Sequence, residues 1–256
     1  MVVDSFSQTT GSGSINIGRS LYIRLMDNIL TFLEGIHHND TKEWFFANRR
    51  AYIEAFAKNA ENTQKLAKMI GKYDPAIGYL RLADCSFPLP RHYKLKHSDR
   101  TYNDYLGGFF ARGGKRSGYA GYYYHIAAEG STCGDSLLAV GIFNPNREVL
   151  EWFREEAVKD GSTIMELIKA SGFQLLERDR FLRLPKGMTI DEEYRDLLLQ
   201  RHIMLVKRVG TKWFLREDWL ERTARTFKRC KPFIDYVNAI IDEHRLGIKR
   251  ENKGND

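Results

Sequence analysis

Basic residues interleaved with aromatics mark the stretch where this chain could do chemistry: Arg91, Tyr93, Lys94, Arg100, Tyr102, Arg112, Lys115 and Tyr119. Guanidinium and ammonium groups hold phosphate oxygens, and aromatic faces stack on bases or sugars, so these residue types suit an anionic ligand. Strand alternation around Arg91 and Tyr93 would set them on a strand neighbouring the one that carries Arg112, which predicts a shared anionic pocket. Any exposed face of a β-meander carries similar residues, so a solvated surface is the competing reading. Downstream, Tyr122, Tyr123, Tyr124 and His125 form the densest aromatic point. In a strand Tyr122 and Tyr124 face one side while Tyr123 and His125 face the other, and one pair must be core. Tyr124 is placed with the ligand-facing candidates. His125 titrates near neutral pH and is the candidate general acid or base, against the commoner role of a hydrogen-bonded structural ring.

Other chemistries fail on spacing. In GGFFARGGKRSG, Gly108 and Gly113 have the spacing of a phosphate loop, but Gly114 stands where lysine is required and no Ser or Thr follows Lys115. A tight turn with a basic tip competes there with a backbone nest for an anion. No G-x-G-x-x-G or G-x-S-x-G occurs. His37 and His38 are adjacent, and His92 and His97 are five apart without a carboxylate pair, so no metal site is predicted. Cys85, Cys133 and Cys230 form no C-x-x-C pair and no even-numbered disulfide framework. No cofactor is implied, and a reducing cytoplasm is the expected compartment.

The elements that must position these residues follow from hydrophobic period. Leu21, Met26, Ile29, Leu30, Leu33 and Ile36 recur at helical spacing up to the break at His37–Asp40. Asp40 reads as the N-cap of a second helix beginning at Thr41, with Glu43 completing a capping box. Helix continues to the turn at Gly71. Period-two alternation then appears at 91–97, followed by strands at 105–111, 119–128 and 136–143, the last two joined by the hairpin loop EGSTCGD. Asn144-Pro145 opens a further helix through Val149, Leu150, Trp152 and Phe153. Helices are predicted at 163–170, 192–200 and 219–244, the last broken at Pro232, with short strands at 173–176 and 203–209. Strands grouped in one block between helices give an α+β fold: an antiparallel β-meander sheet packed with N- and C-terminal helices as a single domain. Its expected limits are 21–244, after a flexible leader over 1–20 and before a charged tail over 245–256.

The chain has 256 residues, 43% of them hydrophobic, enough for a full core. Its net charge of +7 favours acidic partners, and from Arg91 to Arg116 the basic residues outnumber Asp99 and Asp104. No apolar run reaches membrane-spanning length, so no membrane partner is expected. The leader lacks the basic and apolar regions of a signal peptide.

Four stretches carry a family resemblance: FLEGIHHNDTKEWFFANRRAYIEAF, GGFFARGGKRSGYAGYYYHIAAEGS, VGIFNPNREVLEWFREE, and RFLRLPKGM with the residues 193–207 that follow. In this order, over about 27–245, the chain resembles the domain-of-unknown-function family numbered 2461 of bacteria and fungi. The resemblance implies an intracellular α+β domain without an assigned activity, cofactor or partner. One region departs from the family pattern R-x-Y-R-D-x-R-F-S-x-D-K-x-P-Y-K: here it reads RHYKLKHSDRTYNDY, with Thr101 near the expected proline and Asn103 near the expected lysine.

The expected function is therefore a binding module for an anionic ligand, first a phosphate-bearing small molecule and second nucleic acid. The alternatives are a hydrolase or transferase acting on a phosphorylated substrate with His125 as acid–base, and a protein-interaction domain without a small ligand.

Overall fold

A computed structural model of the chain describes residues 28–87, 100–131 and 133–247. Residues 28–38 are helical (α1) and bury Ile29, Leu30, Phe32, Leu33 and Ile36. After the expected break, α2 spans Lys42–Ala47, and its N-cap is Thr41, whose Oγ1 accepts from Trp44 N at 3.2 Å. Asp40 does not cap it. That carboxylate accepts instead from Thr101 N at 2.7 Å and Tyr102 N at 2.8 Å, tying the α1–α2 corner to the chain that enters the sheet.

A non-helical Asn48 separates α2 from α3, Arg49–Gly71. The buried face of α3 runs Ala55, Asn59, Asn62, Thr63, Leu66, Ala67 and Ile70, a helical stripe with three polar residues in it. For Asn59 and Thr63 burial has a local reason. Tyr124 OH donates to Asn59 Oδ1 at 3.0 Å and lies 2.8 Å from Thr63 Oγ1, while Asn59 Nδ2 donates to Gly107 O at 3.2 Å. Polar groups taken out of water must find such partners, and here they clamp the helix to the sheet. Gly108 makes the close approach feasible, since a Cβ there would lie 3.0 Å from Thr63 and 3.1 Å from the Tyr124 ring.

Two single-turn helices, α4 (Pro75–Gly78) and α5 (Leu82–Cys85), follow. Then come β1 (Tyr105–Ala111), β2 (Gly121–Ala127) and β3 (Leu137–Ile142), an antiparallel meander as the alternation predicts. Helix α6 runs Arg147–Ser171 from an N-cap at Asn146 and bends at Asp160, so the two helices predicted at 147 and 163 are joined across a kink. Strand β4 (Gln174–Leu175), a 3-10 turn at Glu192–Tyr194, α7 (Arg195–Leu198) and β5 (Ile203–Arg208) lead to α8 (Thr211–Phe214), α9 (Trp219–Lys228) and α10 (Lys231–Leu246).

The fold is α+β, with one five-stranded antiparallel sheet in the order β1-β2-β3-β5-β4. The sheet is larger than the meander alone, because β5 pairs with the far edge of β3 and β4 closes on β5. On its inner face Leu106, Phe110, Tyr122, Tyr124, Ile126, Leu138, Val140 and Leu205 meet helices α3, α9 and α10 in one contiguous core from Ile29 to Ile241.

Candidate functional site

Among the described residues, those expected to gather around an anion are dispersed. Arg91, Tyr93 and Lys94 lie outside the described residues. Arg100 precedes β1 and Arg112 follows it, so about 20 Å of strand separates them. Arg100 donates through Nη1 to His37 O at 3.0 Å and through Nη2 to Ile36 O at 2.8 Å, capping the last carbonyls of α1. Tyr102 is buried and stacks on Phe45 with centroids 4.4 Å apart. Tyr124 is fully buried in the α3 clamp and belongs to the core pair.

Arg112 forms an ion pair with Asp242 and stacks 3.8 Å over Tyr119. Lys115 donates to the carbonyls of Ala83 and Ser86, and burial holds its ammonium below the usual lysine range. Within the 112–118 turn the amides of Gly114, Lys115 and Ser117 donate to Ala111 O, Asp84 O and Gly114 O. Those donors close the turn and tie it to Asp84, and are not presented to an anion. A cavity of about 200 Å³ beside Arg112 is lined also by Asp74, Asp235, Asn238 and Asp242, which makes its wall acidic.

His125 sits on the opposite face of β2 from Tyr124 and is 4% exposed. Its Nε2 contacts Asp135 O at 2.9 Å and its Nδ1 contacts Tyr123 OH at 3.2 Å. Burial pushes its pKa down to about 4, so the ring is neutral at pH 7 with both nitrogens occupied. That is the geometry of a structural histidine.

Acid–base geometry appears instead at the C-terminal end of α1. His37 Nδ1 lies 2.8 Å from Asp104 Oδ2, and Ser131 Oγ donates to Asp104 Oδ1 at 2.7 Å. Asp104 is fully buried, and its pKa reflects opposing causes. Burial pushes the carboxyl up, while bonds from His37 and Ser131 and the charge of Arg100, 3.8 Å away, outweigh it and hold the group below the ordinary carboxylate range. An ionised carboxylate only accepts, so the ring presents its Nδ1–H to Asp104. The His37 side chain is 17% exposed. Gly130, in left-handed backbone at φ 73°, lies close to this ring, and a Cβ added to it would stand 3.7 Å from His37 Nε2. Cys133 Sγ lies 3.0 Å from Ser131 Oγ, and burial pushes its thiol up to about 11, which keeps it protonated.

A family model described as "Conserved hypothetical protein (DUF2461)" matches residues 28–236, most of the chain and every element that builds this arrangement. The chain belongs to the DUF2461 family. No curated protein and no solved structure gives a match. The DUF2461 match takes in His37, Arg100, Asp104 and Ser131, and two of these, Asp104 and Ser131, carry no sequence signal for chemistry. His37 and Asp104 are 67 positions apart, and only the meeting of the end of α1 with the residues that lead into β1 joins them. The one local hint was a histidine pair ending an amphipathic helix, a pattern that spacing rules weigh only as a metal site.

Proposed function

We propose that the chain is an acid–base enzyme of the hydrolase or transferase class, with His37 as the group that moves the proton. The observation that carries this reading is the buried, ionised Asp104 bonded to His37 Nδ1. Such a carboxylate fixes the tautomer, aims the ring and stabilises the imidazolium formed when Nε2 takes a proton. Ser131 and Arg100 hold the carboxylate in place and keep it charged. Water or a substrate hydroxyl at Nε2 is the group to be activated.

Simple anion binding by Arg100, Arg112 and Lys115 is the weaker reading, because each is spent on a carbonyl or a carboxylate. Nucleic-acid binding is weaker still, since the described cations of that set line no continuous groove. Three free cysteines support a reducing, cytoplasmic setting, and among the described residues no helix is long and apolar enough to cross a membrane.

The test is hydrolysis of a panel of phosphate and carboxylic esters by the wild-type protein, His37→Gln and Asp104→Asn. Loss of the proton-transfer group is expected to lower turnover by about 10²–10⁴. Turnover unchanged in His37→Gln, or no turnover by wild type on any ester, removes the enzyme reading.

A further inference from the structure

Among the described residues only Asn144 (φ 53°) and Asp179 (φ 61°) are non-glycine residues in left-handed backbone. Non-glycine residues seldom adopt this region, and such a residue persists where its surroundings hold it. Both are held by the same ring. Asn144 N donates to His202 Nδ1 at 2.9 Å, and Asp179 Oδ2 lies 3.1 Å from His202 Nε2. Asn144 belongs to the connection from β3 to α6, Asp179 to the connection after β4, and His202 immediately precedes β5. The ring is 5% exposed, and Phe143, 63% exposed, stacks on it with centroids 4.2 Å apart at 13°.

We propose that His202 is a proton-operated pin: neutral, it fastens both connections, and on gaining a second proton it releases the Phe143–Asn146 connection. An amide N–H can only donate, so Nδ1 must present a lone pair and the single ring proton sits on Nε2, facing Asp179. Adding a proton at Nδ1 sets two N–H groups against each other. The Asn144 bond is lost, while the Asp179 contact becomes an ion pair. The left-handed Asn144 then loses the partner that holds it, and the exposed Phe143 loses its anchorage at the next residue.

The charged groups acting on the ring are Asp179, which favours the second proton, and Arg201, which opposes it and itself lies 3.5 Å from Asp179. Residues 143–146 are Phe, Asn, Pro and Asn and add no charge. Arg147 in the first turn of α6 is paired with Glu151. Burial outweighs Asp179, so the proton arrives below the usual histidine range, which sets the release on the acid side of neutral.

Histidine-selective ¹⁵N NMR over pH 5–8, with hydrogen exchange at the Asn144 amide, tests the proposal (pH range ~5–8, bracketing the ordinary histidine value). The expected result is the Nε2–H tautomer at high pH and an Asn144 amide whose protection falls about tenfold as His202 titrates, the loss of one ordinary hydrogen bond. Asp179→Asn should move that titration to lower pH, and His202→Gln should remove the pH dependence of Asn144 exchange. The Nδ1–H tautomer at high pH, or Asn144 protection that stays constant while His202 titrates, overturns it. Because Asp179→Asn leaves the ring in place, it decides the matter even if His202→Gln fails to fold.

Discussion

At the scale of single residues, the hydrogen bonds to Asp104 decide what the acid–base site can do. Ser131→Ala removes one donor from a fully buried carboxylate, which should cost about 1–3 kcal/mol in urea unfolding and raise the Asp104 pKa. A ΔΔG near zero would mean that water replaces the hydroxyl without loss. Tyr124→Phe deletes the phenol shared by Asn59 and Thr63 and leaves the buried Asn59 Oδ1 short of its donor, while Thr63 keeps its bond to Asn59 O, with a similar expected loss. Residue chemistry was only half legible in the sequence. Alternation correctly paired Tyr122 with Tyr124 and Tyr123 with His125 on opposite faces, yet could not say which face met the helices. Asp104 had no local signature at all, because its meaning comes from a helix end 67 positions away. The described arginines read as ligand contacts are occupied by carbonyls and carboxylates, partners that spacing cannot reveal.

At the scale of elements, the α1–α2 corner shows how a capping rule can be displaced by a tertiary bond. Asp40 looked like the helix cap, and Thr41 took that role because the Asp40 carboxylate is engaged by the amides of Thr101 and Tyr102. Thr41→Ala should cost about 1 kcal/mol, the ordinary worth of a cap. Asp40→Ala should cost more, since it leaves two amides without an acceptor and loosens the approach to Asp104. Equal losses in the two variants, measured by denaturant midpoints, would contradict the assignment. Most elements were legible because their periods are strong: the meander, the two-part helix after Asn146 and the C-terminal helix pair around Pro232 all appear. The place of β5 was not legible, since pairing between β3 and β5 depends on a register spanning some sixty residues of intervening chain.

At the scale of the whole molecule, buried neutral histidines make folding sensitive to acid. His125 has a folded pKa of about 4 against an ordinary 6.5, and His202 is shifted the same way. A depressed pKa means that the unfolded chain binds the proton first. Stability from these rings is therefore complete above pH 6.5 and is lost progressively as pH falls toward their folded values. The His125 shift alone corresponds to roughly 3 kcal/mol at its limit. Urea midpoints should be flat above neutrality and fall below it, and His125→Asn should flatten that slope. A midpoint independent of pH down to 5 (about 1.5 below the ordinary histidine value) would show that neither ring is held neutral.

The strand order also constrains how this chain can be made. With β5 seated between β3 and β4, the third strand of the meander keeps an open edge, and Leu138 and Val140 keep an uncovered face, until residues beyond 203 have left the ribosome. An open strand edge invites pairing with other chains. Nascent chains stalled before residue 203 should therefore bind chaperones or aggregate, whereas emergence of β5 and the helices after it should end that vulnerability in one step. Ribosome-bound chains of graded length, probed by limited proteolysis, would show protection rising gradually if the meander were stable by itself.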